Sequence, residues 1–140
     1  MKTPESLVPS LELCKEFARV CEEKGVKVPE TYFYWIANPA PEQDKFWVGD
    51  YSWYFEKKEY ATCLPAPTAG EIGEWLPNHI EIDGEYRALK ITKSDTGWYY
   101  VTYYEVNGRK ELHVPGEKLE DAVCQSLTYL IDQGLVTKLK

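Results

Sequence analysis

Three stretches near the C-terminal end, YRALKIT at 86–92, WYYVTYY at 98–104 and RKELHV at 109–114, limit the fold most, because the turns between them leave one register. Successive side chains of a strand point to opposite faces. Asn107-Gly108 is a strong two-residue hairpin signal. It sets Val106 against Arg109, Glu105 against Lys110, Tyr103 against Leu112 and Val101 against Val114. For the preceding hairpin, an Asp95-Thr96-Gly97 loop with a left-handed glycine pairs Ile91 with Val101 and Leu89 with Tyr103. A loop one residue longer would turn Leu89 and Ile91 to the other face, since a one-residue slip flips every side chain.

This register divides the rings between two surfaces. Tyr99, Val101, Tyr103, Leu89, Ile91, Leu112 and Val114 form an apolar face that belongs under helices. The opposite face carries Trp98, Tyr100, Thr102 and Tyr104, bordered by Ala88, Lys90 and Thr92 on one strand and by Arg109, Glu111 and His113 on the other. Cross-strand pairs on a half-solvated face account for such a mixture in purely structural terms. A contact surface accounts for it as well, because Tyr, Trp, Arg and His concentrate where proteins meet and where rings stack on sugars or bases. Trp98, Tyr100, Tyr104, Arg109, Glu111 and His113 are therefore the candidate binding residues.

Helix signals frame the strands. Ser10 is placed to cap a helix with Leu13, Cys14, Phe17 and Cys21 at helical spacing and Gly25 as its stop. In PAPTAGEIGEWLP, Thr68 and Glu71 make a capping box, Pro67 and Ile72 a hydrophobic staple, and Pro77 ends the helix near Leu76. A third helix, from about Leu119 to Gln133, aligns Leu119, Ala122, Val123, Leu127 and Leu130 and stops at Gly134. Further strands are expected at TYFYWIA (31–37), FWV and YSWYF (between 46 and 55, with a Gly49-Asp50 turn) and EYATCL (59–64), while Asp83-Gly84 reads as a turn. The expected fold class is α+β, a single domain over residues 1–140, with three helices packed mainly on one face of an antiparallel sheet that includes a C-terminal three-stranded meander.

Charge and cysteine spacing narrow the chemistry. A net charge of −7 disfavours nucleic acid and anionic membrane, whose attraction needs Lys and Arg. No apolar run approaches the ~18 residues of a membrane span, and the N-terminus lacks the apolar core of a signal peptide, so a cytoplasmic setting is expected. Cys14 and Cys21 lie roughly 10.5 Å apart along a helix axis, too far for a disulfide. Cys63, Cys124, His79 and His113 are isolated in sequence, without the close pairs of a zinc site. Buried free thiols and no cofactor are the expectation. His113 and Glu111 are two apart on one face, which alone does not make an acid–base pair. No nucleophile turn, phosphate loop or metal motif is present, so no enzyme is expected.

The YFYW strand, APTAGEIGEWLP and LEDAVCQSLTYLIDQGLV resemble a group of small uncharacterised proteins encoded by bacteriophages and prophages of gut bacteria, in which a capped WLP helix and a closing amphipathic helix recur. The resemblance implies a phage or mobile-element origin and an intracellular setting, and offers no catalytic or binding residues to carry over. The expected function is a protein-interaction module, working by partner docking or homodimerisation through the Trp98 face, with Tyr100 and Tyr104 as anchors. The alternative is a module for a ring-stacking ligand such as a glycan, and an enzyme of unknown type comes third.

Overall fold

A computed structural model describes residues 4–37, 45–59, 61–105 and 110–139. A short 3-10 helix (Pro4–Leu7) precedes α1 (Leu11–Lys24), β1 (Phe33–Ala37), β2 (Phe46–Asp50), α2 (Tyr51–Lys57), β3 (Thr62–Pro65), α3 (Ala69–Trp75), β4 (His79–Ile82), β5 (Glu85–Lys93), β6 (Tyr99–Glu105), β7 (Lys110–Gly116) and α4 (Leu119–Asp132). The class is α+β with antiparallel strands, as the sequence indicates. Among the described residues, the single sheet is corrected to two, ordered β2-β1-β3 and β4-β5-β6-β7, and the three helices to four.

The meander keeps its central register. Ile91 pairs with Val101, Leu89 with Tyr103, Val101 with Val114 and Tyr103 with Leu112. Gly97 has φ 93°, the left-handed conformation that the loop after Ser94 requires. A fourth strand, β4, joins through Asp83 and Gly84, both at positive φ (53° and 79°), a hairpin geometry that Asp-Gly favours. Toward the last turn the register departs from expectation. Lys110 pairs with Tyr104 rather than Glu105, through an irregularity after Tyr103. The Asn107-Gly108 turn lies outside the described residues.

The stretch YSWYF is a helix, not a strand. Asp50 ends β2 and caps α2 with its carboxylate, which accepts from the Ser52 and Trp53 amides. Around that helix, ring pairs form at helical spacing, Tyr51–Tyr54 at 5.8 Å and Tyr51–Phe55 at 6.2 Å. Tyr54 also stacks on Tyr34 of β1, centroids 3.8 Å apart. Strand propensity of aromatic rings is thus overridden by a cap and by i, i+3/i+4 contacts.

Two buried clusters hold these layers. The larger gathers Phe17, Val20 and Cys21 of α1, Ile72 and Trp75 of α3, Val101 and Tyr103 of β6, and Val123, Leu127 and Leu130 of α4. The smaller joins Val8, Cys14, Val48 and Ala66, with Phe33 and Trp35 against it. The amphipathic stripe read from Leu119 to Leu130 does face the meander. Ile91 does not join the core: it is 42% exposed, because β4 borders β5 only as far as Ala88, the Leu89 amide bonds the Asn78 carbonyl at 2.9 Å, and among the described residues no strand flanks that edge of β5 beyond it. Among the described residues, no helix is long and apolar enough to cross a membrane.

Candidate interaction surface

Since Val101 and Tyr103 point into the core beneath α4, alternation sends Tyr100, Thr102 and Tyr104 to the other side of the sheet. The same parity brings His113 of β7, Ala88, Lys90 and Tyr86 of β5, and His79 and Glu81 of β4 to that side. Both histidines of the chain are there, and each is stacked on a tyrosine: His113 on Tyr100 at 5.0 Å and 17°, His79 on Tyr86 at 4.6 Å and 17°. His113 Nδ1 also lies 3.0 Å from the Thr102 hydroxyl, which is only 7% exposed.

Each stack joins two strands. Such ring pairs contribute about 0.5–1.5 kcal/mol beyond the area they bury. The ring orientations are therefore held by the sheet. Tyr86 is 49% exposed on this face, with Glu81 and Lys90 also open to water, and Trp98, in the loop before β6, is 37% exposed. The face thus offers fixed rings and both signs of charge.

Of the six residues singled out by sequence, the structure brings Tyr100 and His113 into contact and sets half-buried Tyr104 on the same face. Trp98 precedes β6 in the loop, its amide bonded to the Ser94 hydroxyl at 3.2 Å. Arg109 and the side chain of Glu111 lie outside the described residues. His79 and Tyr86 were missed. Their signal was HIEIDGEYR, where Asp83-Gly84 sets two alternating runs in one register.

A second aromatic surface lies on α2. Tyr51, Trp53 and Phe55 are 37%, 46% and 61% exposed, and Trp53 meets Trp47 edge-on at 5.5 Å. Lys57 lies 5.7 Å above the Trp53 ring and Lys58 4.7 Å above Phe55, within cation–π range.

The cysteines serve packing. All four are free, and Cys14, Cys21 and Cys124 are buried. Burial pushes the Cys14 thiol up to about 12 and Cys21 to about 11, and it raises Cys124 and Cys63 as well. These groups are neutral thiols at ordinary pH, unsuited to nucleophilic work. Among the described residues, no group of three or more His, Cys, Asp or Glu is gathered closely enough to hold a metal ion. Compared with protein-family models, curated proteins and solved structures, the chain matches none.

Proposed function

We propose that this chain is a small protein-interaction module that self-associates through the open face of the four-stranded sheet. The observation that carries the reading is the exposure of Tyr86, Glu81 and Lys90 on a face where both histidines are locked against tyrosines. Rings with few rotatable bonds and fixed orientation make contact area at low entropic cost. Two-fold association needs one self-complementary patch, and Glu81 and Lys90, both exposed on this face, supply opposite charges to pair across the axis. A glycan reading is less well supported, because Thr102 and His113 engage each other rather than point to a ligand. A binding role rather than a catalytic one, and a phage or prophage origin from the sequence resemblance, belong to the same proposal.

Sedimentation velocity tests it. The wild type is expected to run as a dimer at high micromolar concentration, and Tyr86→Glu and Tyr100→Glu as monomers with unchanged circular dichroism. A monomeric wild type, or dimers that survive both substitutions, would overturn the reading.

A further inference from the structure

Away from the sheet face, a groove of about 930 Å³ runs between the α1–β1 connection, Tyr54 of α2 and the C-terminal segment after α4. Val28, Pro29 and the 6% exposed Leu139 give it an apolar floor. Lys27 and Lys138 line it, and Lys58 lies 5.9 Å above the ring of Tyr54, which also lines it. Among the described residues, none of these three lysines has an ion pair. Among the described residues the one lining carboxylate, Glu30, already accepts from the Tyr51 hydroxyl at 3.2 Å. In a chain of net charge −7, this groove is a local reversal of sign.

Its walls have a second property. Residues 27–30 and 137–138 belong to no helix or strand, and among the described residues their backbone groups make no hydrogen bonds. Free main-chain donors and acceptors beside an apolar floor can be matched by another extended main chain.

We infer that this groove binds an extended acidic peptide segment, whose carboxylates meet Lys27, Lys58 and Lys138 while an apolar side chain rests on Val28, Pro29 and Tyr54. The lysines select charge, and the floor and open backbone select a polypeptide over a small anion. Single-stranded nucleic acid shares the charge but would need to stack its bases. Tyr54, the ring that lines the groove, already has one face against Tyr34, at 3.8 Å. The groove is separate from the self-association face, so either proposal stands or falls without the other.

Fluorescence anisotropy with three labelled probes decides the matter: an alternating Glu-Leu peptide, an alternating Lys-Leu peptide and a short oligothymidine. The Glu-Leu peptide is expected to bind, with affinity that falls as salt rises. The Lys27→Glu/Lys138→Glu double variant should lose about tenfold or more, and Tyr86→Glu should bind as the wild type does. Absence of Glu-Leu binding, equal binding by the double variant, or stronger binding of the Lys-Leu peptide or the oligothymidine would each overturn the inference. Both lysines are exposed, so circular dichroism of the double variant should match the wild type.

Discussion

A β-carbon on Gly49 would lie 2.7 Å from Trp47 Cζ3, 3.0 Å from Ile36 Cδ1 and 3.1 Å from Trp53 Cβ, so the contact between β2 and α2 depends on a missing side chain. Gly49→Ala is expected to lower stability by about 1–3 kcal/mol through overpacking, read as a shift of the urea midpoint at constant slope. An unchanged midpoint would mean that the Trp47 ring yields freely. The cysteines give a second prediction at this scale. The thiolate is the reactive form, and burial raises all four thiols, least completely at half-buried Cys63, where Lys57 opposes the shift. Iodoacetamide at about pH 8 should therefore label Cys63 first in the folded protein and reach Cys14, Cys21 and Cys124 only on unfolding. Early labelling of Cys124, measured by peptide mass spectrometry, would contradict the packing of α4.

Caps decide the fate of the two shortest α-helices, α2 and α3. Thr68 accepts from the Glu71 amide at 3.2 Å while the Glu71 carboxylate accepts from the Thr68 amide at 2.9 Å. Thr68→Ala should lower stability by about 1 kcal/mol in urea unfolding. On α2, bonds from the Ser52 hydroxyl and from the Trp53 and Ser52 amides hold the Asp50 carboxyl below its ordinary value. A depressed carboxyl stabilises the fold above its unfolded value and loses that contribution as pH falls through the folded one. The stability gap between wild type and Asp50→Asn should thus narrow below about pH 4, and a gap that widens there would reverse the assigned sign. The α3 cap was legible in TAGE because a capping box is a local pattern of two side chains. The Asp50 cap was not, since YSWYF carries strand propensity and the contacts that settle it, Tyr54 on Tyr34 and Trp53 on Trp47, come from other elements. The meander was legible for the opposite reason: turn length and alternation fix parity locally, which assigns Tyr100 and His113 to one face, where the two rings stack. His79 and Tyr86 escaped because β4 is only four residues long, too short to show alternation unaided.

At the scale of the whole chain, α1 is the element that couples the two cores. Phe17, Val20 and Cys21 enter the cluster with α4 and the meander, while Cys14, one turn earlier, joins Val8, Val48 and Ala66 beside the three-stranded sheet. The N-terminal segment is tied to α4 as well, through Lys118 Nζ to the Val8 carbonyl at 2.6 Å and the Ser10 amide to Asp121 at 2.9 Å. Truncating the fully buried Phe17, which stacks on Trp75 at 6.4 Å, removes a ring from the larger core and should lower stability by about 3–5 kcal/mol. If α1 couples the cores, the loss cannot stay local. Amide exchange in Phe17→Ala should accelerate in β1 as much as in β6, although Phe17 belongs to the meander's cluster. Exchange that rises in β6 alone, with β1 protected as in the wild type, would show two sheets that open independently and would remove α1 from its coupling role.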